Sequence, residues 1–178
     1  MVDPVVLDTN ILVFAIEGPS EPNQDTDLKQ RAELLVEKEL EKESRVLLPT
    51  ICLAELLAHN QRNRSKALEA YTRLGLEIRS FDTPAAMHYG RLYKAALAER
   101  KSASPSTRAI LGNDALIAAT ALASGASRIY SHNTKDFRKW VKNLGDTLAV
   151  LDIPPLAALV SPGDPDQLIL SQAEGLEP

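Results

Sequence analysis

Four acidic side chains, Asp8, Glu55, Asp114 and Asp136, occupy positions where a carboxylate calls for a reason. Asp8 directly follows Val5-Val6-Leu7, a short run of the kind that forms a strand buried on both faces. Glu55 is the one polar residue between Ile51 and Ala58, so a helix there should be largely buried. An ionised carboxylate buried alone is costly unless it is protonated, paired or bound to metal. Asp114 opens Asp114-Ala115-Leu116-Ile117-Ala118-Ala119, a segment otherwise without polar groups. Asp136 lies near the start of a short helix, after Asn133 and Thr134. For both, a cap at a helix N-terminus explains the acid as well as a site does.

Carboxylates gathered within a few ångströms repel one another and raise each other's pKa. Mg2+ or Mn2+, hard cations that prefer oxygen ligands, relieve that repulsion. Such ions activate a water and stabilise the entering and leaving oxygens of a phosphodiester displacement, with no histidine or cysteine nucleophile. His59, His88 and His132 share no metal-ligand spacing and read as structural or surface residues. Cys52, the only cysteine, excludes an intramolecular disulfide and a cysteine-cluster zinc site, and reads as a buried apolar residue.

The elements that must position these acids alternate between strand and helix. Strands are expected at Val5–Leu7, Val46–Leu48, Leu76–Phe81, Arg128–Ser131 and Leu148–Leu151. Helices are expected at Ile11–Ile16, Asp27–Glu43, Thr50–His59, Ser65–Leu74, Ala85–Lys101, Asp114–Ser124 and Lys135–Lys142. Gly75 and Gly125 serve as helix stops. Gly18–Asn23 and Ser102–Ser106 read as loops, and Pro154-Pro155 as the end of regular structure. The pattern predicts an α/β fold, a three-layer α/β/α sandwich on a parallel sheet of four to five strands. Residues 1–155 would form the domain, and 156–178 a C-terminal extension, poorly ordered or docking on a partner.

In such a sheet, ligands bind outside the carboxyl ends of the strands where strand order reverses. That rule selects Asp8 and the segment Ser131-His132-Asn133-Thr134-Lys135-Asp136, provided their strands are neighbours. Asp82, continued by Thr83-Pro84, is explained as a helix cap, and Asp152 has no helix behind it. Both fall outside the site.

With 178 residues, 44% of them apolar and 25% charged, the chain suits one globular domain. Net charge is −4, which disfavours general polyanion binding, and the 4% aromatic content disfavours extended stacking platforms. A nucleic-acid role therefore needs local basic patches and metal ions, and Arg62, Arg64 and Lys66 form the best basic strip, as phosphate contacts or as a solvated helix start. No apolar run could span a bilayer, and the first residues lack the features of a signal peptide, so a cytoplasmic protein is expected.

Four segments, Val6–Asn10, Leu53–Leu57, Asn113–Ala121 and Ser131–Phe137, resemble in order the motifs of PIN domains. The nearest resemblance is to VapC-type toxins of toxin–antitoxin modules, over roughly residues 4–153. It implies a Mg2+- or Mn2+-dependent endoribonuclease with Asp8, Glu55, Asp114 and Asp136 as its acidic quartet. Asp8 and Asp114 match the surest metal ligands, with Glu55 and Asp136 completing the shell directly or through water. Thr9 and Asn10 match the polar pair after the first acid, and Ser131 and Asn133 the groups that order the fourth motif. It further implies an RNA substrate, a small antitoxin partner and a homodimer. Two rivals are a catalytically silent PIN-like module that binds RNA or protein, and a phospho-acceptor receiver domain. The receiver reading fits poorly, because the second strand ends in Leu48-Pro49 and the third in the capping Asp82.

Overall fold

The computed structural model describes residues 3–17, 27–42, 45–59, 64–95, 105–141 and 148–160. Five parallel strands form one sheet: β1 (Val5–Leu7), β2 (Val46–Pro49), β3 (Glu77–Arg79), β4 (Arg128–Tyr130) and β5 (Ala149–Leu151). Their order is β3-β2-β1-β4-β5, so the chain builds outward from β1 to one edge and then crosses to the other side. The α/β fold on a central parallel sheet expected from the alternation is the fold observed. Val5–Leu7 and Val46–Pro49 are buried residue after residue, as the apolar runs require of strands covered on both faces.

Helices α1 (Thr9–Glu17), α2 (Leu28–Glu41), α3 (Thr50–His59) and α4 (Arg64–Arg73) connect β1 to β2 and β2 to β3. Helices α5 (Thr83–Ala95) and α6 (Pro105–Ala123) return the chain to β4, and α7 (Thr134–Val141) leads to β5. α1 packs on α2, while α6 packs on α5, on α7 and on α3. Gly75 and Gly125 adopt φ of 78° and 70°, the left-handed region expected of a helix stop. After Gly125 the Ala126 N–H reaches back to the Ala121 carbonyl at 3.0 Å and closes α6.

Three differences from the expected elements matter. First, α1 starts at Thr9, two residues early, because Asp8 supplies the carbonyl for the Ile11 N–H at 3.1 Å. Second, α6 starts at Pro105 and runs through Gly112-Asn113 instead of beginning at Asp114. A glycine inside a helix costs only ~1 kcal/mol, which packing against three other helices offsets. Third, regular structure continues past Pro154-Pro155 as a single turn, α8 (Leu156–Leu159), packed on α2 with Leu159 buried. The Arg31 guanidinium of α2 holds the approach to that turn, donating to the carbonyls of Ile153 and Pro154 at 2.9 Å each. The Gly18–Asn23 loop and the chain beyond Val160 lie outside the described residues.

Candidate active site

β1 pairs with β4 in the register Val5↔Arg128, Val6↔Ile129, Leu7↔Tyr130. The next residues on the two strands, Asp8 and Ser131, therefore leave the sheet side by side where strand order reverses. The Ser131 hydroxyl donates to Asp8 Oδ2 at 2.7 Å, and the Asn10 amide donates to the same oxygen at 2.7 Å. Asp8 Oδ1 accepts the Thr9 backbone N–H at 2.8 Å. Ser131 Oγ also accepts the Asn133 N–H at 3.0 Å, which fixes the turn into α7. Despite these donors, burial pushes the Asp8 pKa up to about 6, with the Glu55 charge adding to it.

Glu55 is half-buried rather than enclosed, because α3 leaves Ala54 and Ala58 exposed and buries mainly Cys52 and Leu56. The expectation of a largely buried helix is thus corrected. Its carboxylate is held at both oxygens: Thr9 Oγ1 donates to Oε2, and the Asn113 amide donates to Oε1 at 2.8 Å. Asp114 is the enclosed acid. It sits ten residues into α6, not in a first turn, so the capping explanation does not apply to it. The residue is 8% exposed, its Oδ2 has no hydrogen-bond partner among the described residues, and its pKa is pushed up to about 7. Burial is the main cause, followed by the charges of Asp8, Asp136 and Glu55, so all four acids act electrostatically on one place.

Asp136 lies in the first turn of α7, where Asn133 donates to Oδ2 at 2.9 Å and Lys139 to Oδ1 at 2.8 Å. The Lys139 contact above all holds its carboxyl below the usual range. Asp8, Thr9, Asn10, Glu55, Asp114 and Asn133 share a cleft of about 290 Å³ with Val13 and Phe14, a lining that Asp136 does not reach. Arg64 and Lys66 are exposed on α4 and outside that lining, and Arg62 lies outside the described residues. Cys52 is buried, and burial, then the Asp8 charge, pushes its thiol up, which leaves a neutral packing residue. Asp82 caps α5 through the Ala85 N–H at 3.0 Å, as expected.

Three lining residues escaped the sequence reading: Asn113, Val13 and Phe14. Helical spacing carried the signal for two of them, since Asn10, Val13 and Phe14 stand at i, i+3 and i+4. Asn113 was hidden by its reading as a helix boundary.

The donors at the cleft are oxygens, one of them buried and orphaned, and two carboxyls are held far above their ordinary pKa. That set fits a hard divalent cation, which would supply the missing positive charge. Among the described residues no three His, Cys, Asp or Glu side chains are already gathered into a metal cage. An ion here would be held by one or two carboxylates and otherwise by water, the usual habit of Mg2+.

The PIN-domain family model matches residues 5–142. The fold is similar to VapBC2 from Rickettsia felis, solved bound to a DNA fragment from its promoter, with a TM-score of 0.55 at 23% identity, over 86% of this chain and 100% of that one. It is similar to VapBC-1 from nontypeable Haemophilus influenzae, with a TM-score of 0.56 at 20% identity, over 85% and 98%. FitAcB from Neisseria gonorrhoeae gives a TM-score of 0.55 at 22% identity, over 83% and 96%. No curated protein gives a match. The structural likenesses are of fold, whereas the family match spans β1 through α7 and takes in all four acids, so the chain belongs to the PIN-domain family.

Proposed function

We propose that the chain is a Mg2+- or Mn2+-dependent endoribonuclease, the toxin of a toxin–antitoxin pair acting in the cytoplasm. The observation that carries this reading is Asp114, buried beside Asp8 in the cleft with one oxygen that has no hydrogen-bond partner among the described residues. A carboxylate is stable there only when protonated or when a cation joins it. Asp8 and Asp114 would be the first ligands, with Glu55 and Asp136 completing the shell directly or through water. When bound, the cation would neutralise phosphate charge and make a water acidic enough to attack at neutral pH.

The chain's own part is to hold the acids still. Ser131 and Asn10 fix one oxygen of Asp8, and the Thr9 backbone N–H holds the other. Thr9 and Asn113 hold Glu55 from both sides, and Lys139 with Asn133 keeps Asp136 ionised. Arg64 and Lys66 would contact the RNA backbone from outside the cleft. The antitoxin partner is supported by the VapBC and FitAcB structures to which this fold is similar.

The test is incubation of the antitoxin-free protein with a pool of structured RNAs and Mg2+ or Mn2+. Discrete cuts are expected, falling about 100-fold or more in Asp8→Asn and with a chelator. RNA left intact throughout, or cut equally well by the variant and under chelation, contradicts the proposal.

A further inference from the structure

One wall of the cleft serves no ion. Val13 and Phe14 on α1 line it beside Asp8 and Asn133, and apolar side chains offer nothing to a cation that binds through oxygen. Phe14 meets the ring of His132 edge-on, with centroids 5.5 Å apart at 84°. His132 is held from three directions. Its backbone N–H donates to Asn10 Oδ1 at 3.1 Å, its Nδ1 lies 3.1 Å from Asp152 Oδ1, and Phe14 supports the ring. Asp152 is itself fixed by the Ile153 N–H at 2.7 Å.

This arrangement has a consequence for binding. Pairing at Nδ1 leaves Nε2 as the ring's free hydrogen-bonding edge among the described residues, on a side chain that is 50% exposed. An exposed side chain held in one orientation has already lost the rotamer freedom that binding would otherwise remove.

Resting on the nuclease reading, we infer that Val13, Phe14 and His132 form a subsite for the base of an unpaired nucleotide next to the scissile phosphate. Phe14 supplies the apolar face and His132 Nε2 the polar contact, while Asp152 is a positioning residue acting through His132. A base inside a duplex is stacked on both faces and paired along its edge, so only an unpaired base can turn a face to Phe14 and an edge to His132.

Two measurements test this. Isotope-labelled protein is titrated with adenosine, which has no phosphate and needs no metal, while backbone amides are followed by NMR. The amides of Phe14 and His132 should shift, and the shift should vanish in Phe14→Ala. Separately, cleavage of a short single-stranded oligoribonucleotide should show KM raised about 10-fold in Phe14→Ala with kcat within about twofold, and restored in Phe14→Tyr. Asp152→Asn should raise KM in the same direction, and the same RNA in a duplex should resist cleavage. Phe14→Tyr also guards against a folding defect being read as lost binding. If RNA is cut but adenosine moves neither residue and KM is unchanged, the subsite is wrong and the nuclease reading stands. If adenosine binds there but no RNA is cut, the nuclease reading fails and the subsite stands.

Discussion

Asp114 has a carboxylate oxygen removed from water and from every donor among the described residues, and its pKa stands at about 7 against an ordinary 3.8. Between roughly these two values the folded chain keeps a proton that the unfolded chain releases. Stability without metal therefore falls as pH rises through that window, and the full cost is present above it. Asp114→Asn removes the cost. At pH 8 without metal the variant should be more stable than the wild type by ~2 kcal/mol, the full shift being discounted for partial access to water. The difference should disappear near pH 4, and added Mg2+ should raise the melting temperature of the wild type only. Thermal melts at the two pH values check this, and an equal effect at both would contradict it. Not every residue in the cleft was legible in the sequence. Asp8 was, because a buried strand that ends in an acid fixes where the acid emerges. Glu55 and Asp114 exchanged roles: the apolar helix around Glu55 leaves it partly exposed, while Asp114, readable as a cap, is the enclosed one.

At the scale of elements, the exchange follows from α6 running on through Gly112-Asn113. Helix propensity is a weak preference, and contact with α3, α5 and α7 overrides a glycine that looks like a boundary. A second case is Glu39, an acid on α2, a helix rich in Glu and Lys. It is fully buried against β4, with Tyr130 donating to Oε1 at 3.2 Å and Lys42 to the same oxygen at 3.0 Å. Arg128 reaches Oε2 only as an ion pair at 3.5 Å, too poorly placed for a hydrogen bond. Burial and then the Glu39 charge push the Tyr130 phenol up, so it remains a donor. Period-3.6 reading could not find this contact, because it depends on which strand lies beneath α2. Glu39→Ala should cost about 2 kcal/mol in urea unfolding, less than a deeply buried pair since Lys42 and Arg128 reach water. Glu39→Gln should cost less, and kcat should be unchanged in both. A loss below ~0.5 kcal/mol in Glu39→Ala would show that α2 does not depend on this network.

Across the whole molecule, the strand order was open in the sequence, but its consequence was not: any parallel sheet with β1 beside β4 brings Asp8 to Ser131. The net charge of −4 and a cleft lined by carboxylates give no electrostatic attraction for RNA on their own. Among the described residues, no helix is long and apolar enough to cross a membrane. Under the proposed function, both the attraction of phosphate and the chemistry fall to a cation that Asp8 and Asp114 would hold. The most direct test is titration of the metal-free protein with Mn2+ at pH 7, followed by calorimetry or by loss of the free-ion resonance signal. Saturable binding with proton release is predicted for the wild type, weakened at least about 10-fold in Asp8→Asn and in Asp114→Asn. Equal binding by all three proteins, or none by the wild type, would contradict the account.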